Sequence, residues 1–201
     1  MGISVGRSRK KFLDEMRINK MSAKPGPHDF RIVLDGLKPT FNIAKIFRSA
    51  QAFGAQGIDL IKIASFNPYP SLGATRYVPA RFHDEFAAAH RALRADGFTI
   101  FAFDVNATEL LTDVKLPKRA AFVMGHEEFG LSFRTDDYPD VRALRIPMYG
   151  QVQSLNVSVA ASVAMFEYVR QHGSPADEVR FEGVSRYQDD DEHQPDEGSR
   201  G

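Results

Sequence analysis

Residues 30–63 read FRIVLDGLKPTFNIAKIFRSAQAFGAQGIDLIKI, and this stretch decides the fold class. Phe30 to Leu34 is a short apolar run that stops at Asp35-Gly36, the pattern of a buried strand. From Asn42 to Phe53 the apolar residues fall at Ile43, Ile46, Phe47, Ala50 and Phe53. Steps of three and four residues place them on one helix face, and Gly54 supplies a C-terminal stop. Ile58 to Ile63 is apolar again and reads as a second strand. The runs lack period-two alternation, so these strands are covered on both faces. That predicts an α/β fold: a parallel sheet with helices on both sides.

Further along the chain, a Pro/Gly-rich loop from Asn67 to Gly73 precedes a helix over His83 to Ala95 and a strand over Phe98 to Phe103. A strand over Ala121 to Met124 runs into Gly125, and a short one over Leu144 to Ile146 is halted by Pro147. A long final helix spans Ser154 to Gln171 and ends at His172-Gly173 and Pro175. No internal repeat and no shift of composition divides residues 29–175, so they form one domain.

The flanks differ from this body. Net charge over the 201 residues is zero, which argues against a uniformly basic nucleic-acid binder. Residues 1–24 nevertheless carry seven Lys/Arg against Asp14 and Glu15, and residues 1–28 form a basic extension. Phosphate contact and packing through Phe12, Leu13, Met16 and Ile18 are both open to it. Residues 176–201 carry nine acids against three arginines with few apolar residues, and read as a disordered acidic tail.

Cysteine is absent, which excludes disulfides, thiolate zinc sites, iron–sulfur clusters and a cysteine nucleophile. His83 and His90 have no third ligand in view, so no metal is expected. No apolar run approaches the roughly 18 residues of a bilayer span, and no signal-peptide core follows the basic start. The expectation is a cytoplasmic protein without a membrane partner.

Ligands of open α/β sheets sit beyond the carboxyl ends of the strands. Three clusters fall there. The first is Asn42 to Ala50, with Asn42 open to a helix N-cap role and Arg48 off the apolar stripe. Six residues of regular helix point these two side chains in different directions. The second is Gly125-His126-Glu127-Glu128-Phe129-Gly130-Leu131-Ser132. It lacks the Lys-Ser/Thr of a phosphate loop and the G-x-G-x-x-G spacing, which disfavours triphosphate and dinucleotide sites. A tight strand-to-helix turn with exposed acids is its plainer reading. The third is Arg145 to Asn156, where Ser154 is a candidate N-cap and Ala160, Ala161, Ser162 and Ala164 allow close approach to another surface.

Taken together, Asn42, Arg48 and Phe53-Gly54, then Gly125-x-Glu127-x-x-Gly130-Leu131-Ser132, then Ile146-Pro147-Met148 with Ser154-Leu155-Asn156, resemble the three ordered motifs of the SpoU/TrmH-type RNA ribose 2′-O-methyltransferases of the SPOUT superfamily. The likeness runs from about residue 30 to 173. It implies a SPOUT-type parallel sheet whose C-terminal part is threaded into a deep trefoil knot. It further implies S-adenosyl-L-methionine held around Gly125, Ile146, Met148 and Leu155, and a homodimer with the active site at the interface. Carried over position by position, the catalytic set is Asn42, Arg48, Glu127, Ser154 and Asn156. His126 stands where the family commonly has Asn, and Glu128-Phe129 where small or basic residues are frequent.

The implied reaction moves a methyl group from a sulfonium to a ribose 2′-hydroxyl of tRNA, favoured because shorter family members often act on tRNA, or of rRNA. A guanidinium stays protonated, so Arg48 is expected to stabilise developing alkoxide charge beside a phosphate. Two alternatives stand beside this: a knotted RNA-binding protein without turnover, and a small-molecule enzyme on an ordinary doubly wound sheet.

Overall fold

A computed structural model describes residues 2–178. Among these, seven strands form one sheet: β1 (His28–Asp35), β2 (Ala55–Ile61), β3 (Ala80–His83), β4 (Thr99–Phe103), β5 (Glu109–Leu110), β6 (Ala120–Met124) and β7 (Val141–Arg145). Four α-helices accompany it: α1 (Gly2–Ser22), α2 (Phe41–Ala52), α3 (Phe86–Ala95) and α4 (Val157–His172). The strand order is β3-β2-β1-β6-β4-β7-β5 and every pairing is parallel.

Both faces of the sheet are apolar, which is why the sequence shows no alternation. Phe30, Ile32 and Leu34 of β1 and Phe122 and Met124 of β6 enter the core shared with α2 and α4. Val33, Ala121, Val123 and Ile100 point the other way, against Phe86, Ala89 and Leu93 of α3. Because the strands are parallel, Asp35, Met124 and Arg145 all end at one edge, and the loops that follow them gather there. The far end of α4 is pinned at the opposite side of the domain. Its Tyr168 hydroxyl donates to Lys118 O at 2.5 Å, and Gln171 Nε2 donates to Val114 O at 3.0 Å.

Several predicted boundaries move. His83 belongs to β3, and the helix begins at Phe86, three residues later than its apolar spacing suggests. β3 and β5 have four and two residues, too few for a periodic signal. α4 starts at Val157, and its N-cap is Asn156, whose side chain accepts from Ser158 N at 2.9 Å; Ser154 caps nothing. At the start of α2 the N-cap position is Thr40, so Asn42 lies inside the helix. Gly54 at φ +65° ends α2 as expected.

The basic extension is a helix packed on the body. Phe12 is buried edge-on against Phe66, and Asn19 Nδ2 donates to Thr75 O at 2.7 Å and Val78 O at 2.6 Å. Buried Glu15 accepts from the Thr75 hydroxyl and lies 3.6 Å from the Arg76 guanidinium. Leu13, one of the four candidate packing residues, faces outward. The acidic tail beyond residue 178 lies outside the described residues. No helix among those described is long and apolar enough to cross a membrane.

A charged cluster is buried between β1, β2 and β3. Asp59 is fully buried, accepting from Arg31 Nε at 2.6 Å and from His83 Nε2 at 2.7 Å. Gly57 makes room for it, since a Cβ there would lie 2.6 Å from the Arg31 guanidinium. Burial pushes the Asp59 carboxyl up, but the His83 and Arg31 contacts outweigh it and hold the pKa below the usual value. Its stabilising contribution is therefore complete above the unfolded carboxylate pKa and is lost as pH falls through the depressed folded value. Asp59→Asn strands a buried guanidinium and is expected to cost about 3–5 kcal/mol in urea unfolding at neutral pH. A loss under 1 kcal/mol would show that the cluster is solvated in solution.

Candidate active site

The site grows from the end of β1. Asp35 is fully buried and accepts from both Ser132 N (2.6 Å) and Ser132 Oγ (2.7 Å), drawing the loop after β6 across the sheet edge. That loop closes on itself. His126 N donates to Gly130 O at 2.7 Å, and Gly130 N donates back to His126 O at 2.8 Å. Gly125 permits this closure, because a Cβ there would stand 2.5 Å from the Gly130 carbonyl carbon. His126 Nδ1 accepts from the backbone N–H groups of Glu128 (3.0 Å) and Phe129 (3.3 Å). The loop is thus a self-capped turn with no α-helix behind it; the strand-to-helix reading does not hold.

Closing the loop aims Glu127 at the β1–α2 connection. Its carboxylate accepts from Asn42 Nδ2 at 3.0 Å and from Lys38 N at 3.2 Å. Asn42 Oδ1 in turn accepts from Asn156 Nδ2 at 3.3 Å. The Asn156 side-chain oxygen takes Ser158 N at 2.9 Å and Ser158 Oγ at 2.7 Å. One chain of polar contacts therefore joins residues 42, 127 and 156. Glu127 reaches Asn156 through Asn42, not directly. Burial pushes the Glu127 carboxyl up, yet hydrogen bonds from Asn42, its own backbone and Lys38, with the nearby His126 ring, hold it below the ordinary value. It is a carboxylate near neutrality, suited to accepting hydrogen bonds and unsuited to donating a proton. Neighbouring Glu128 pairs with Lys38 Nζ at 2.8 Å on the exposed rim.

Beside this chain lies a cavity of about 930 Å³. Gly125, Ile146, Met148 and Leu155 all line it, as do Glu127, Ser154 and Asn156. Ser154 is exposed at its mouth. Arg48 does not reach it. It lies on the exposed side of α2, without an ion pair or hydrogen bond among the described residues, and opens on a separate groove with Lys45, Leu72, Ser158 and Val159. Of the nine sequence-selected residues, seven meet at the cavity, Asn42 stands behind Glu127, and Arg48 stands apart. Sequence reasoning missed Asp35 and Lys38. An acid closing an apolar strand was the available signal for Asp35; Lys38 contributes a backbone N–H, which leaves no sequence mark. Among the described residues no group of three or more His, Asp or Glu side chains is placed to hold a metal.

A parallel α/β sheet with a cavity at its carboxyl edge, walled by loops from three strands, is the arrangement in which open α/β proteins bind small ligands and cofactors. The SpoU rRNA methylase family profile matches residues 29–166, and the chain belongs to that family. It is 32% identical over 175 residues to the 23S rRNA (guanosine-2′-O-)-methyltransferase RlmB of Xylella fastidiosa, covering 85% of this chain and 70% of that one. It is also 32% identical over 160 residues to the tRNA (guanosine(18)-2′-O)-methyltransferase of Thermus thermophilus, covering 77% of this chain and 81% of that one. Among solved structures, the SpoU methyltransferase AviRb of Streptomyces viridochromogenes in complex with AdoMet superposes with a TM-score of 0.65 at 26% identity, covering 73% of this chain and 59% of that chain.

The His126 cap is a testable feature. An asparagine side-chain oxygen can accept the same two backbone donors, whereas alanine offers no acceptor. His126→Ala is expected to speed hydrogen exchange at the Glu128 and Phe129 amides by about fivefold relative to intrinsic rates, the worth of roughly 1 kcal/mol. His126→Asn should retain the protection. Equal protection in the alanine variant would remove the ring from the loop's support.

Proposed function

We propose that this chain methylates a ribose 2′-hydroxyl of transfer RNA, working as a homodimer, with Arg48 from one copy completing the cavity of the other. The general activity follows from the family: the chain is a S-adenosylmethionine-dependent RNA methyltransferase. The tRNA assignment is drawn from the relatives. The chain spans 81% of the tRNA enzyme and 70% of the rRNA enzyme quoted above, so less of the tRNA enzyme lies outside the match.

The observation that carries the reading is the polar chain through Asn42, Glu127 and Asn156 at the rim of the cavity that Gly125, Ile146, Met148 and Leu155 line. Those residues suit the cofactor. The apolar side chains of Ile146, Met148 and Leu155 would suit an adenine and a methionine carbon chain, and the Glu127 carboxylate would favour a cationic sulfonium in the same cavity. The bound cofactor supplies an electrophilic methyl group, so the protein's task is to orient and to stabilise charge.

Ser154 at the mouth of the cavity positions the incoming ribose, and Asn156 holds the start of α4 against α2. Arg48 donates to a phosphate and to the 2′-oxygen as it gains charge; the proton leaves to that phosphate or to water. What supports a dimer is the place of Arg48. Within one chain it cannot serve the cavity, and its groove adjoins exposed Val159 and Leu72, apolar surface that a second copy would cover. What supports the threaded C-terminus is the sheet order: β7 lies between β4 and β5, and α4 beyond it packs on the segment leading from β5 to β6.

Transfer of labelled methyl from S-adenosylmethionine to bulk tRNA tests the reading, and tRNA carrying 2′-deoxyribose at the mapped site should bind and accept none. Arg48→Lys should lower turnover about 10²–10³-fold while cofactor affinity holds, because a point charge does not replace a two-pronged donor. Methyl found on a base, or near-parental turnover in the lysine variant, would overturn the mechanism. Methyl transfer to rRNA alone would overturn the tRNA assignment.

A further inference from the structure

We propose that the outer face of α1 is an RNA-binding surface, continuous through the turn at residues 69–72 with the groove that holds Arg48. The inference rests on the RNA substrate proposed above and adds a second contact region outside the cavity.

The helix carries Arg7, Arg9, Lys10, Lys11, Arg17 and Lys20 against two carboxylates, and one of these, Glu15, is turned inward and buried. Its docked side is defined by Phe12, Glu15 and Asn19. At 100° per residue, Lys10 and Arg17 point directly away from that side, two turns apart; Arg7 and Lys20 flank them, exposed Asp14 shares the face, and Arg9 lies a quarter-turn round. Among the described residues, Arg7, Arg9, Lys10, Arg17 and Lys20 make no ion pair or hydrogen bond. Arg7 and Lys10, and Arg17 and Lys20, are like charges at a spacing of three, which destabilises an isolated helix. An array of this kind is complementary to a polyanion, whose phosphates relieve the repulsion.

The array is held in place, since Asn19 and Glu15 bond the Thr75–Val78 segment. It also abuts the groove. Lys11 Nζ lies 3.9 Å over the Tyr69 ring, and the next residues of that turn, Pro70 and Leu72, line the groove with Lys45 and Arg48. Tyr77 and Tyr69, the latter covered on one side by Lys11, are both exposed, and their open ring faces would take unpaired bases. Leu13, Met21 and Asp14 also reach the outer face, but four free cations against one carboxylate and two apolar side chains favour RNA over a protein partner.

The test uses the full chain with Lys10→Gln and Arg17→Gln together. Binding to a tRNA transcript is followed by fluorescence anisotropy across a potassium chloride series, with cofactor affinity and oligomeric state measured in parallel. Both side chains are exposed, so the fold should persist. Losing two phosphate contacts should make the plot of log affinity against log salt shallower by about 1.4–1.8 and weaken binding about tenfold or more at low salt. Cofactor affinity should stay within twofold. An unchanged slope in the variant of an RNA-binding parent overturns the surface alone, as does an unchanged slope with loss of the dimer, which would mark a protein interface. A parent that binds cofactor but no RNA overturns the surface and the substrate reading together.

Discussion

The Glu127 carboxylate is the junction on which the site depends. Residues 42, 127 and 156 lie on three segments far apart in sequence, and nothing local obliges them to meet. They meet because Glu127 accepts from Lys38 N and Asn42 Nδ2, and Asn42 passes the connection to Asn156 at the start of α4. Behind it, Asp35 holds Ser132 and so fixes where the Glu127 loop can go. These contacts set the spacing between the loop after β6 and the start of α4, which are two walls of the same cavity. A carboxylate held ionised by fixed donors is a stiff joint, since its charge-assisted hydrogen bonds are stronger than neutral ones.

The sheet supplies the platform for that joint. β1 and β6 are neighbours, buried on both faces, and their parallel pairing delivers the first two functional loops to the same edge. β7 enters beside β4 and brings the third. In the proposed reaction the two surfaces divide labour between cofactor and substrate. The residues assigned to the cofactor line one cavity, whereas Arg48 faces outward on α2 at a separate groove. An enzyme whose substrate is a large polyanion can use such a division, because the nucleotide is brought to the cavity from outside.

Much of this was legible in the residues. The continuous apolar strands announced a parallel sheet covered on both sides, and the spacing Ile43, Ile46, Phe47, Ala50 announced the buried side of α2. Gly125 was visible as part of a glycine loop, and the close backbone approach it permits is what the structure adds. Edge strands β3 and β5 were not legible, because two to four residues carry no period. Residue type alone favours Ser154 as the N-cap of α4, but Asn156 holds the position, and its side chain also bonds Asn42, a tertiary contact that no local rule reports. The packing of α1 was open from Phe12, Leu13, Met16 and Ile18, but which side docks was not legible, because it depends on buried polar residues, Glu15 and Asn19, while Leu13 faces outward. Lys38 contributes through its backbone N–H, to which its identity gave no clue.

The most direct measurement is the calorimetric affinity for S-adenosylmethionine of the parent and of Glu127→Ala, each confirmed as folded by its circular dichroism spectrum. Removing the carboxylate leaves the Lys38 N–H and the Asn42 amide without their partner, so the three segments lose their common tie. If that tie shapes the cavity, the variant binds the cofactor at least about tenfold more weakly, the effect of roughly 1.4 kcal/mol. A variant that binds as tightly as the parent would mean the cavity holds its form without Glu127, contradicting the account.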